Sequence, residues 1–227
     1  MRIHRLIVLA LLCAPALVHA QPTRLPLTSL DKLRPVNTQL DTVAFKGQRG
    51  LRATQAANGP DGLIHLDGVT FANGTLEVEL AGAPAAGAGE GARGFVGLAF
   101  RVQAASGDAP AVYDAFYLRP TNGRALDQER RNHTTQYISH PEWTWSRLRR
   151  ETPSRYESYV DMLPDTWTRI RIAVQGDTAR LFVHGQEQPS LIVTDVKTGA
   201  TGRGGVALWI GPGSVAHFRN LVVTPRP

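Results

Sequence analysis

Short apolar runs, broken at regular intervals by Gly, Asn and Pro, constrain this chain more than any other feature. Leu76-Glu77-Val78-Glu79-Leu80 alternates apolar with polar, the pattern of a half-buried strand. Gly94 to Val102 is more continuously apolar, as in a strand covered on both faces. Thr166 to Val174 alternates again. Gly176-Asp177 marks a turn, and Arg180 to His184 returns as the partner strand. Gly205 to Ile210 and Val215 to Val223 flank Gly211-Pro212-Gly213. Asn58-Gly59-Pro60, Asn73-Gly74 and Asn122-Gly123 read as turns. Helical periodicity is missing, apart from one or two turns expected within Asp127 to His133. Evenly spaced short strands predict an all-β sandwich or jelly roll.

The first twenty residues read as an export signal. Arg2 and Arg5 precede the apolar run Leu6–Leu12, Pro15 breaks it, and Val18-His19-Ala20 offers a cleavage site before Gln21. The run is too short to span a bilayer, which takes about 20 residues. The pattern predicts a signal peptide over 1–20, a lead-in segment over 21–38 and one jelly-roll domain over 39–227. It implies a periplasmic or secreted protein without stable membrane insertion once the signal is removed. Cys13, the only cysteine, would leave with the signal, so no disulfide or cysteine-ligated metal is expected.

The unusual chemistry is concentrated between Tyr113 and Asp161. All 5 tyrosines lie there, with Trp143 and Trp145 and a run of arginines. The formal charge of +6 falls by two, to +4, without Arg2 and Arg5. The central arginines are nearly matched by Asp114, Asp127, Glu129, Glu142, Glu151, Glu157 and Asp161. That balance argues against a nucleic-acid stripe. By contrast, Ala81 to Ala92 carries almost no chemistry and reads as a flexible hairpin connection.

Trp167-Thr168-Arg169-Ile170-Arg171-Ile172-Ala173-Val174 and Ala179-Arg180-Leu181-Phe182-Val183-His184-Gly185 resemble late strands of concanavalin A-like (laminin G-like) jelly rolls. Gly204 to Gly211 with Ala216 to Leu221 is similar to their closing strands. Within that group the nearest named resemblance is to the bacterial 3-keto-disaccharide hydrolase domain family, over about residues 40–224. The resemblance implies a two-sheet sandwich whose concave face takes ligand, and it allows binding and hydrolysis alike.

Aromatic faces beside planar guanidinium donors suit sugar rings. The expected ligand-binding residues are Arg119, Asn122, Arg124, Arg131, Tyr137, His140, Trp143 and Trp145. Each arginine has an ion pair as its alternative role, and about half of the aromatics are equally suited to the core. Along their strand Tyr113, Ala115 and Tyr117 share one side and Asp114, Phe116 and Leu118 the other. Hydrolysis would need two carboxylates about 5–10 Å apart. Glu142 and Glu157 are the candidate pair, with Asp127 or Glu129 in reserve and His133 as an acid–base alternative. His133 and His140 fall on opposite faces of an extended chain, so no metal site is assigned. Glu77-Val78-Glu79 only echoes a glycosidase strand motif, and alternation turns one of its carboxylates to solvent. No serine elbow, phosphate loop or dinucleotide fingerprint occurs. No cofactor is called for; calcium is compatible with the fold but specified by no residue pattern. The expected function is carbohydrate binding, with a glycoside hydrolase and an envelope protein-interaction module as alternatives. Oligomeric state is not encoded in any pattern.

Overall fold

A computed structural model describes residues 21–226; the leader expected over residues 1–20 lies outside the described residues. The strands are β1 (Thr23–Leu25), β2 (Leu33–Val36), β3 (Gln39–Phe45), β4 (Gln48–Thr54), β5 (Gly62–Leu66), β6 (Asn73–Pro84), β7 (Val96–Gln103), β8 (Val112–Leu118), β9 (Thr135–His140), β10 (Glu157–Ser158), β11 (Thr168–Gln175), β12 (Thr178–Val183), β13 (Leu191–Val193), β14 (Gly205–Ile210) and β15 (Ser214–Arg226). A 3-10 turn at Pro120–Asn122 and two short helices, α1 (Gln128–Asn132) and α2 (Trp145–Glu151), interrupt them.

The strands form a two-sheet antiparallel sandwich, as the sequence pattern predicts. One sheet has 8 strands in the order β13-β12-β11-β6-β15-β4-β3, with β1 also paired to β15. The other has 7, in the order β10-β9-β8-β7-β14-β5-β2. Between them lies the core. Leu76, Val78 and Leu80 of β6 are buried with Ile170 and Ile172 of β11 and Phe218 of β15. Each such side chain stabilises the fold by about 1.5–3 kcal/mol. The second sheet contributes Leu98, Phe100, Phe116, Tyr137 and Leu208. Phe116 meets Phe100 at 6.3 Å and Tyr137 at 5.4 Å between ring centroids.

Four local expectations change. Glu77 and Glu79 both face outward, because residues two apart share a strand face; they pair with Arg169 and Arg219. Asn73-Gly74 is not a turn but opens β6, where Gly74 pairs with Pro225 at φ +126°. The Ala81–Ala92 stretch is no hairpin. Its first residues extend β6, and the rest crosses from one sheet to the other to reach β7. Finally, α2 forms where the sequence shows no helical periodicity. Thr144 caps it, its hydroxyl accepting from the Arg147 backbone N at 3.4 Å. Leu148 alone is buried along its length, so no apolar stripe announces the helix.

Candidate functional site

The resemblance implies a ligand on one sheet face, and the outer face of the second sheet carries aromatic residues of the Tyr113–Asp161 segment. Here the protein's own rings close it. In register, Gln136, Tyr117, Gly97, Trp209 and Leu63 form a row across β9, β8, β7, β14 and β5. Ala115, Ala99 and Ala207 form the next, and all three are fully buried. Tyr117 stacks on Trp209 at 4.5 Å and Tyr113 on His140 at 4.9 Å. The Tyr113 hydroxyl donates to Asp61 Oδ2 at 3.1 Å, joining β8 to the residue that precedes β5. Burial pushes the pKa of both Asp61 and Tyr113 up, which keeps the phenol protonated as that donor.

Open space lies instead at the end of this face, where β8 stops and β9 begins. The cavity is ≈ 470 Å³. Arg93 and Phe95 reach it from the crossover, Arg119 and Asn122 from the end of β8, and Asp127, Glu129, Arg130 and His133 from α1 and its flanks. Trp145 and Arg149 enter from α2. They are four residues apart, so they share a helix face, and Arg149 lies 4.9 Å from the Trp145 ring. Trp145 remains 47% exposed, the one large aromatic here with a free surface of that size.

Buried Glu157 organises the floor. Its Oε1 accepts from Arg119 Nη1 at 3.1 Å, and Arg149 grips it through Nε to Oε2 at 3.0 Å and through Nη2 to Oε1. Arg119 also donates to the Tyr117 hydroxyl at 2.8 Å and to Gln136 Oε1 at 3.0 Å. Burial alone would raise the Glu157 pKa. The Arg149 hydrogen bonds and the charges of Arg119 and Arg149 outweigh it and hold the carboxyl below its usual range. His133 Nδ1 lies 2.8 Å from Glu157 Oε2, yet neither ring nitrogen is aligned for a hydrogen bond. Burial lowers the His133 pKa against the pull of Glu157, with Arg149 and Arg119 adding to the lowering, so the ring is neutral near pH 7. Burial pushes the Tyr117 hydroxyl up to about 12, so it stays protonated beside Arg119. Asn122 donates to the His133 carbonyl at 3.1 Å and accepts from Arg130 Nε at 2.9 Å.

Of the residues singled out from the sequence, the cavity brings together Arg119, Asn122, His133 and Trp145, over Glu157. It does not bring in the others. Tyr137 is in the core, its hydroxyl donating to Asp114 at 2.6 Å and accepting from the Lys197 backbone at 2.8 Å. Trp143 is half-buried, with Arg147 at 3.9 Å and Lys197 at 4.3 Å from its ring centre. His140 sits at the far end of β9 against Tyr113, its Nδ1 2.7 Å from the Ala111 carbonyl. Arg124 forks onto Asp161 at 2.8 and 3.1 Å, and Arg131 donates to the Tyr159 hydroxyl at 2.8 Å. Glu142 is exposed and pairs with Arg147 at 3.6 Å, so it does not converge with Glu157. Arg93, Phe95 and Arg130 join the site without having been singled out as ligand residues; Arg149, which the sequence allows either to pair with Glu157 or to rim a site for an acidic glycan, pairs with Glu157 and lines the cavity. A lone arginine three residues before the apolar strand β7 is the only trace Arg93 leaves in the sequence. Among the described residues, no three His, Cys, Asp or Glu side chains are grouped to hold a metal ion, and no helix is long and apolar enough to cross a membrane.

No protein-family model matches the chain, and no curated protein matches its sequence. Solved structures do match its fold. A Bacillus subtilis protein of unknown function with a galectin-like fold is 12% identical with a TM-score of 0.59, over 92% of this chain and 100% of that one. Carbohydrate binding module CBM66 from Bacillus subtilis is 12% identical with a TM-score of 0.54, over 84% and 93%. A Bacillus licheniformis beta-glucanase is 12% identical with a TM-score of 0.52, over 91% and 99%. The fold is therefore that of the concanavalin A-like jelly rolls.

Proposed function

We propose that this concanavalin A-like jelly roll binds carbohydrate in the arginine-lined cavity, with Trp145 as its stacking platform. One observation carries the reading: a half-exposed indole shares with Phe95 a cavity rimmed by guanidinium donors. A sugar presents C–H faces to the rings and hydroxyls to the forks. The similar solved structures include a carbohydrate binding module and a beta-glucanase, which supports a saccharide as the ligand class. The leader-like N-terminus makes export to the periplasm or beyond part of the proposal.

Binding is favoured over hydrolysis. Glu157 is held ionised by two arginines and has no proton to give a leaving group; Glu142, its expected partner, stands elsewhere. His133 is neutral near pH 7, and the carboxylate 2.8 Å from its Nδ1 is already held by Arg149.

A glycan array tests the reading. Trp145→Ala should lose roughly tenfold or more in affinity, the scale of one stacking contact. Trp143→Ala should keep its affinity, because that ring is already covered by cations. If Trp145→Ala binds as the parent does, the stacking platform is wrong.

A further inference from the structure

The cavity holds more positive charge than its own carboxylates neutralise. Arg119 and Arg149 share the single carboxylate of Glu157. Arg130 donates only to neutral acceptors, Asn122 Oδ1 at 2.9 Å and Thr121 Oγ1 at 3.2 Å. Arg93 donates only to the backbone carbonyls of Glu90 and Ala92. Among the described residues, neither Arg93 nor Arg130 forms an ion pair. The two acids at the rim do not change this. Asp127 Oδ1 accepts from the Arg130 backbone N at 3.1 Å and, among the described residues, pairs with no arginine side chain; the side chain of Glu129 is 86% exposed, and even with both counted, four arginines face three carboxylates. Burial and the charges of Arg130 and Arg119 also hold the Arg93 pKa below its usual value, a sign of repulsion among cations. Unpaired guanidinium groups facing one cavity form a receptor for an anion.

Resting on the carbohydrate reading above, we infer that the saccharide taken by this cavity is acidic. Its carboxylate or sulfate ester sits between Arg93 and Arg130 while a neighbouring sugar ring stacks on Trp145.

Calorimetric titration with four probes tests this: tetragalacturonate, its carboxyl-reduced neutral counterpart, a sulfated tetrasaccharide and a short oligothymidylate. One acidic saccharide should bind at least tenfold tighter than the neutral one, the scale of one charge-assisted hydrogen bond. Whichever acid prevails identifies the anionic group. Arg130→Gln should erase the preference, bringing affinity for the acidic saccharide down to that for the neutral one. The exposed change Glu129→Gln, which leaves the fold alone, should tighten acidic binding about twofold. Equal affinity for acidic and neutral sugars would overturn the inference while leaving the carbohydrate reading intact. Binding of no saccharide would remove both, and tighter binding of the oligothymidylate would assign the cavity to nucleic acid instead.

Discussion

At the residue scale, Glu157 shows what the sequence can and cannot convey. Alternation through Tyr156-Glu157-Ser158 already separates the carboxylate from the tyrosine, and the structure turns Tyr156 inward and Glu157 towards the cavity floor. What alternation does not convey is the clamp, because Arg119 and Arg149 reach Glu157 from separate elements. Removing the charge leaves two guanidinium groups without their counterion. Glu157→Gln should therefore destabilise the fold by about 3–5 kcal/mol at pH 7, measured by urea unfolding. The pH dependence has a definite sign. The folded pKa lies below the ordinary 4.5, so this stabilisation is complete above 4.5 and is lost as pH falls through the folded value. His133 acts in the same direction from higher pH, since its folded value lies below 6.5. The gap between the parent and Glu157→Gln should thus narrow from pH 7 to pH 3. A gap that stays constant would mean that the ionised carboxylate is not what the arginines hold.

At the element scale, the strands were legible and α2 was not. A strand repeats every two residues, so β6, β11 and β14 announce themselves in five or six residues. A helix of two turns with one buried leucine has no periodicity to detect. That single element separates the two tryptophans: Trp143 precedes the Thr144 cap and packs down, whereas Trp145 opens the helix and stands over the cavity. The crossover before β7 escaped for a related reason, since Ala and Gly give it no pattern until Arg93 and Phe95. The β7–β8 pairing also makes a structural demand at Gly97. This residue lies in register between Tyr117 and Trp209, and an added Cβ would come within 2.7 Å of Tyr117 Cβ. Gly97→Ala should cost about 3 kcal/mol through overpacking, seen as a lower urea midpoint. It should also shift the near-ultraviolet signal of the stacked Tyr117–Trp209 pair. A midpoint within error of the parent would show that the strands separate without strain.

At the scale of the whole molecule, the sandwich presents two unlike faces. The outer face of the first sheet carries ion pairs such as Arg169–Glu77, with the arginine side chain 62% exposed; pairs of this kind add at most about 1 kcal/mol each. The outer face of the second sheet is filled with rings, and the open cavity lies at its end. There the crossover, the end of β8, α1 and α2 all meet at one cavity. A ligand seated in it ties together segments that the core alone does not join, and it binds only the folded state. At one hundred times its dissociation constant it should add about 2.7 kcal/mol, which for a chain of this size raises the melting temperature by roughly 5–10 °C. The tryptophan variants then divide stability from binding. Trp143→Ala should melt lower than the parent, having lost its contacts with Arg147 and Lys197, yet keep the full ligand-induced rise. Trp145→Ala, which loses only the Arg149 and Arg119 contacts of a half-exposed ring, should melt slightly below the parent and lose the rise. A ligand-induced rise retained in Trp145→Ala but absent in Trp143→Ala would move the binding site away from the cavity and onto the lysine-capped side of the molecule.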